Sequence, residues 1–387
     1  MSTFPPELKD LVIGHMQGEK DTLASCGLVS RAWLHLSRPY LFGSVTLRDH
    51  TYEDFLRLKA SRHCTFIPAI RTLSISRPQT DEETDSPFTE LVSQLTGLPS
   101  LTCLRVFYVS WIHLSDPSLT AFISAFRDIT ELDIERAAFI APHHLIAMLA
   151  RLPRLEKVSV HTTFIEDEAP AREPLLLPPP DPPRKLQHVR LCMRSNDGDS
   201  FSPLINWIGT GPPTVCALEL SILWSRSLPA VGRLLRALGP VLRSLDLKLL
   251  NHVTSHDVDT DLAPPLALST HIAHLTIHIA LRRFHAPNTP PHAPWALLAA
   301  LPHAPAALET LTIVLTIDFM YMIGALDWAH FNAALRARAR LRRLQFRVHC
   351  NHAIGAVAEE IRKRIAPEFV ARGSVEVMLL QSGGVFT

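Results

Sequence analysis

Asp257, Asp259 and Asp261 alternate as the first three carboxylates of a calcium loop do, where side-chain oxygens begin the coordination of a hard cation. Such a loop needs glycine next and a bidentate glutamate at its twelfth position, and here Leu262 and Leu268 stand in those places. The 20 histidines raise the question of zinc, but His143/His144, His271/His274/His278 and His349/His352 have no cysteine or carboxylate at ligand spacing. There is no glycine-rich phosphate loop, no G-x-S-x-G and no H-E-x-x-H. With no nucleophile, base or metal set converging, the chain reads as a non-enzyme with no catalytic residue, no metal and no cofactor.

The charges point the same way. Thirty-eight basic against 37 acidic side chains leave a formal charge of +1, which gives no bulk attraction to nucleic acid or to an acidic membrane. The run Arg336, Arg338, Arg340, Arg342, Arg343 and Arg347 is basic, but its one aromatic, Phe346, is the last apolar position of a triplet and aromatics do not alternate with the arginines for base stacking; it reads as a solvated face, and nucleic acid is not the expected partner. Six cysteines lie far apart without a C-x-x-C pair and read as reduced thiols acting as small hydrophobes. Glu7, Lys9 and Asp10 precede any apolar run, and no stretch approaches the ~18 apolar residues of a membrane helix. The expectation is a cytoplasmic or nuclear protein without membrane contact.

The elements that position these side chains repeat. The pattern Φ-x-x-Φ-x-Φ, with Φ an apolar Leu, Ile, Val or Phe, starts at Phe42, Ile70, Leu101, Ile129, Leu155, Leu186, Val215, Leu242, Ile272, Leu308 and Leu341, at intervals of 26 to 36 residues. From Ile70 onward only Cys103, Cys216, Ala217 and Ala273 of the 30 x positions are apolar, in a chain that is 47% hydrophobic, so each copy predicts a half-buried strand. Amphipathic stretches at 88–95, 119–126, 143–149, 230–238, 295–301 and 328–335 predict the intervening helices. A right-handed crossover through each helix makes successive strands parallel. The proline-rich stretches 170–183 and 286–305 predict projecting loops, Asp81 to Ser86 an acidic turn, and 252–265 an irregular connection. The fold class is therefore α/β: a solenoid over residues 42–387, with a parallel sheet on the concave side and helices and proline-rich loops outside.

In such a sheet the inner Φ residues face the helices and the x residues face the open side. The central column from the second copy onward is expected there: Ser74, Arg105, Asp133, Ser159, Arg190, Glu219, Asp246, Thr276, Thr312 and Gln345. Candidate substrate-binding residues are Arg105, Glu131, Asp133, Glu135, Lys157, Arg190, Glu219 and Asp246. Arg105 falls beside Asp133 and Arg190 beside Glu219, so the face is either a set of compensated surface ion pairs or a polar recognition surface. Glu131, Asp133 and Glu135 share one side of one strand and repel unless Arg105 and Lys157 compensate them.

Residues 1–41 carry no strand pattern and predict three short helices: one opened by Pro5-Pro6, one capped by Asp21, one capped by Ser30. Phe4-Pro5-Pro6-Glu7-Leu8, Leu11-Val12-Ile13, Leu23 and Leu28-Val29-Ser30-Arg31-Ala32-Trp33 resemble the F-box motif. Joined to degenerate leucine-rich repeats, this N-terminus is similar to the F-box proteins abundant in mushroom-forming fungi. The resemblance implies a substrate adaptor of an SCF-type cullin-RING ubiquitin ligase. Pro5, Leu8, Val12, Ile13, Leu28, Val29 and Trp33 would then dock on a Skp-family linker protein, and the repeats would hold an unknown protein substrate. Gly27 interrupts the second helix, where it costs ~1 kcal/mol relative to alanine. Read from the residues alone, the same helices also suit a cap on the first repeat of a ubiquitin-independent leucine-rich-repeat scaffold. The repeats lack the asparagine that follows each triplet in standard leucine-rich repeats, so their turns must satisfy backbone groups another way.

Overall fold

The computed structural model describes residues 5–76, 92–109, 111, 116–139, 141–164, 180–193, 201–222, 225–249, 255–281, 301–324, 326–350 and 354–380. The acidic turn 81–86, most of the proline-rich stretches, and most of the helices expected at 88–95 and 295–301 lie outside them. The chain divides into two compact units, Met1–Ile140 with Ala147–Arg172, and Ala141–Ile146 with Glu173–Thr387.

The first unit opens with helices α1 (Pro6–His15), α2 (Lys20–Val29) and α3 (Arg31–Phe42). Pro6 fills the first helical position of α1, where a missing N–H costs nothing. Ser30 caps α3 by accepting from the Trp33 backbone N–H at 3.4 Å, as expected. Asp21 does not cap α2, which starts at Lys20 with Glu19 at the N-cap position. Gly27 has a reason to be glycine: a Cβ there would lie 3.2 Å from Leu34 Cδ1 and 3.3 Å from Ser37 Oγ. The close approach of α2 to α3 thus offsets its poor helix propensity.

Strands β1 (Ser44–Arg48), β2 (Thr72–Ser76), β3 (Cys103–Phe107), β4 (Glu131–Phe139) and β5 (Lys157–Phe164) follow, paired in chain order and parallel. Helix α4 (Asp49–Ala60) fills the first crossover, and Lys59 near its end donates to the carbonyls of Gln94 and Thr96, both at 2.5 Å. The second unit continues with β6 (His188–Met193), β7 (Ala217–Ile222), β8 (Ser244–Leu249), β9 (His274–Leu281), β10 (Thr310–Ile317), β11 (Arg343–Cys350) and β12 (Val375–Leu379), again parallel and in chain order. Each unit is solenoid-like α/β.

Within each unit the triplets land on strands in one register. In the first unit Val45, Leu73, Leu104, Leu132 and Val158 are cross-strand partners. In the second, Val189, Leu218, Leu245, Leu275, Leu311 and Leu344 are. All of the latter six are buried, and each contributes roughly 1.5–3 kcal/mol by leaving water.

The turns solve the problem of the missing asparagines with main chain alone. The carbonyl of the residue just after the first Φ accepts two N–H groups from the next repeat. Gly43, Arg71, Thr102 and Thr130 do this in the first unit, and Gln187, Cys216, Arg243, Ala273 and Glu309 in the second, at 2.8–3.1 Å. Both lone pairs of each oxygen are thereby used, with no demand on side-chain type. Thr102, Thr130 and Thr214 add a hydroxyl donor to the preceding repeat.

Two adjacent strands leave the regular pleat together. Tyr108 (φ 58°) and Arg136 (φ 53°) both take the left-handed conformation that non-glycine residues seldom adopt. A bulge at Arg136 lets β4 continue to Phe139, where Trp111 stacks on Phe139 at 5.5 Å. The Arg136 guanidinium donates to Tyr108 Oη at 2.8 Å.

The connection expected to be irregular is in part helical: Ser255–Asp261 and Ala263–Leu268 are helices, with Pro264 in the permissive first turn of the second. The preceding helix Leu228–Leu238 comes so close that a Cβ on Gly232 would run into the Asp261 carbonyl oxygen. Gly232→Ala is therefore expected to lower the melting temperature, overpacking at about 1–3 kcal/mol outweighing the ~1 kcal/mol gained in helix propensity. A thermal melt followed by circular dichroism measures it.

Candidate functional site

The N-terminal helices leave much of their apolar surface uncovered. Leu28 is 89% exposed, Val29 69%, Leu11 58% and Leu8 47%. Pro5 is exposed as well, while Val12 and Trp33 are half-buried. Ile13 departs from the expected docking set: it is fully buried, as is Leu23, and both belong to the interior of the helices. Leucine and valine side chains exposed this far in one short segment are the kind of apolar surface that marks an interaction site.

The polar sheet face differs between the units. In the first, Lys157 Nζ lies 2.5 Å from Glu131 Oε1, and that bond raises the lysine pKa. Both groups are open to water, so the pair contributes under ~1 kcal/mol. Asp133 is opposite Arg105 in register, yet no ion pair forms between them. The expected compensation of the acidic strand thus comes from Lys157 and not from Arg105. The Oδ1 of Asp133 is closed off from solvent without a hydrogen-bond partner.

In the second unit Arg190 Nε meets Glu219 Oε1 at 2.9 Å, as register predicts. His278 Nε2 approaches Asp246 Oδ1 to 2.9 Å, off the line of its ring N–H. Arg343 clamps Glu376 through two bonds of 3.0 Å, and Gln345 Nε2 donates to Glu376 at 2.9 Å. Thr312 donates to Gln345 at 3.3 Å. Ser74, Thr312 and Gln345, expected on an open face, are buried. The column is polar as predicted, but at these places its side chains form a closed floor.

Burial pushes the Glu219 carboxyl above its ordinary range, Arg190 pulling it back and Asp246 adding to the rise. A carboxyl that holds its proton more tightly folded than unfolded subtracts from stability once ionised, and the penalty disappears as pH falls below the carboxylate range. Glu219→Gln is accordingly expected to raise the melting temperature at neutral pH, with the gain shrinking to nothing in acid. Melts across a pH series check the sign.

Compared with known protein families, the chain matches none. It is similar to Antagonist of mitotic exit network protein 1 of Saccharomyces cerevisiae, 38% identical over 47 residues, which is 12% of this chain and 9% of the yeast protein. A crystal structure of a Bacteroides fragilis protein aligns over 86% of this chain and 72% of its own, at 10% identity and a TM-score of 0.34.

Other chemistry-bearing residues are absorbed by packing. Asp257, Asp259 and Asp261 lie on a helix, which turns successive carboxylates to different sides. Among the described residues no group of three or more His, Cys, Asp or Glu is assembled for a metal ion, no helix is long and apolar enough to cross a membrane, and none of the six cysteines forms a disulfide. Much of the arginine run is committed: Arg336 pairs with Glu368 at 2.6 Å, Arg338 donates to the carbonyls of Leu301 and Pro302, and Arg343 holds Glu376.

Proposed function

We propose that the chain is a non-catalytic substrate adaptor of an SCF-type cullin-RING ubiquitin ligase: α1–α3 act as an F-box that docks on a Skp-family linker, and the polar sheet face holds a protein substrate. The observation that carries this reading is the exposure of Leu8, Leu11, Leu28 and Val29 on helices whose interior, around Ile13 and Leu23, is already closed. Exposing large apolar side chains this way costs solubility unless a partner covers them. A helical cap on a ubiquitin-independent scaffold would instead turn them inward against the first repeat. The Leu-Val-Ser-x-x-Trp close supports the same reading, with Ser30 capping the helix that presents Trp33. Such an adaptor works in the cytoplasm or nucleus and needs no cofactor. The test is affinity purification of the full chain at endogenous level: recovery of a Skp-family protein and a cullin is expected, and recovery of neither overturns the adaptor.

A further inference from the structure

The second unit ends on a strand whose outer edge is open. Among the described residues β12 pairs with β11 alone. The Ser374 carbonyl accepts from the Leu344 N–H at 2.8 Å, and the Leu380 N–H donates to the Val348 carbonyl at 2.9 Å. Main-chain groups along a strand alternate in direction, so Glu376 and Met378 also face β11, while the N–H and C=O groups of Val375, Val377 and Leu379 face outward. The side chains are as incompletely covered as the main chain. Val375, Val377 and Leu379 continue the row of Leu344, Phe346 and Val348, which are buried to within 1%. Yet Leu379 is 40% exposed, and Val375 and Val377 are only half-buried. Met378, on the other face, is also exposed.

Edge strands commonly carry a lysine, a proline or a bulge that keeps other chains off. β12 has none of these: it reads Val-Glu-Val-Met-Leu, and its register with β11 is unbroken. Its one charge, Glu376, is held by Arg343 and Gln345. The strand is complementary to itself when reversed about Val377. Val377 then faces Val377 of a second copy, Val375 faces Leu379, and Glu376 faces Met378. The pairs that exchange bonds in an antiparallel ladder fall on every second residue, so each outward N–H and C=O of β12 meets a counterpart. Slipping the register by two residues one way sets Glu376 against its own copy, which like charges disfavour; slipping it the other way leaves Val375 facing beyond the strand.

We propose that β12 is a dimerisation strand: two copies of this chain join their sheets edge to edge, antiparallel, across a two-fold axis at Val377. The axis makes the contact self-complementary and closed, and the apolar rows behind β12 become continuous between the copies. The surface is small, so the dimer is expected to form only as protein concentration rises. Assembly of this kind needs neither a Skp-family protein nor a substrate, and it stands or falls apart from the adaptor reading.

The test is sedimentation velocity of the full chain over a concentration series, in which a shift from monomer to dimer is expected. Val377→Pro removes an outward N–H that β11 does not use, on an edge where proline is tolerated, and is expected to abolish the shift. Val377→Thr keeps the N–H and is expected to retain it. Met378→Glu sets a second carboxylate against Glu376 in both symmetric pairs and is expected to weaken dimerisation roughly threefold or more. Met378→Lys faces Glu376 with an opposite charge and is expected to preserve or tighten it. Circular dichroism checks the fold of each variant; should Val377→Pro unfold, the two Met378 variants, altered at an exposed side chain, decide alone. A full chain that stays monomeric at every concentration overturns the proposal, and if dimers then appear only on removal of residues 381–387, the chain's own end occupies the edge. A dimer that survives Val377→Pro in a folded chain is held by another surface, such as the apolar one on α1–α3, and overturns it too. So does an equal effect of Met378→Glu and Met378→Lys.

Discussion

Leu245→Ala is expected to lower the unfolding free energy by about 2–5 kcal/mol, and Leu132→Ala by a similar amount. Leu245 is wholly buried and Leu132 nearly so, and each is the middle apolar residue of its triplet, flanked in register by Leu218 and Leu275 or by Leu104 and Val158. Truncation removes the transfer free energy of the side chain and leaves a cavity that two hydrogen-bonded neighbouring strands cannot easily close. The two substitutions fall in different compact units, so urea titrations also report how far each unit unfolds independently. In a repeat array stability is close to a sum over neighbours, and the expected result is a lowered midpoint in the transition of the affected unit. A loss of only a few tenths of a kcal/mol would mean that these leucines do not sit in the packed register described.

That register was legible because it depends on a period of two, repeated. Eleven triplets alternate apolar and polar positions, and within each unit the strands carry the pattern in register. β12 escaped detection because the first apolar position of its triplet is occupied by Arg372, whose place is at the end of a short helix; only Val375 and Val377 retain the pattern. Helices were less legible than strands. α4 has a low apolar content and no cap residue of the usual type, and 255–268 hides two helices behind Pro264 and Pro265, which suit a first turn as well as a loop. The double-acceptor carbonyls that close each turn leave no sequence signal at all, since glycine, arginine, threonine, glutamine, cysteine, alanine and glutamate all serve there.

The candidate surfaces divide in the same way. Which side chains share the polar face follows from alternation, so Arg190 with Glu219 and Glu131 with Lys157 were readable from spacing alone. The absence of an Arg105–Asp133 ion pair, the diagonal approach of His278 to Asp246 and the Arg343–Glu376 clamp depend on rotamers and on a strand the pattern missed. The resemblance to the F-box motif put Ile13 beside Val12 in the docking set, yet Ile13 is fully buried. Its neighbour Leu11 is exposed and belongs with the patch instead.

Leu8→Gln combined with Leu28→Gln is expected to reduce binding of a Skp-family protein by two orders of magnitude or more while leaving the fold intact. Each leucine, if covered by the partner, contributes roughly 1.5–3 kcal/mol through the water it sheds, and ~3 kcal/mol between them already exceeds a hundredfold in affinity. Leu28 is 89% exposed and Leu8 47%, so their replacement removes little native packing, and glutamine keeps helix propensity near that of leucine. Ile13→Gln is the contrasting variant: it buries an amide in the helical interior, where an unsatisfied polar group costs about 1–3 kcal/mol, and it should lower stability as well as binding. Asp133→Lys on the sheet face is expected to leave Skp binding unchanged, because damage to one part of a repeat array is felt by its neighbours and little beyond. Pull-down of a Skp-family protein by the variants, with circular dichroism on the same preparations, separates the outcomes. If the Leu8/Leu28 pair binds as the unaltered chain does, the exposed patch is not the docking surface; if the pair unfolds the helices, those leucines pack against the chain itself and α1–α3 are a cap.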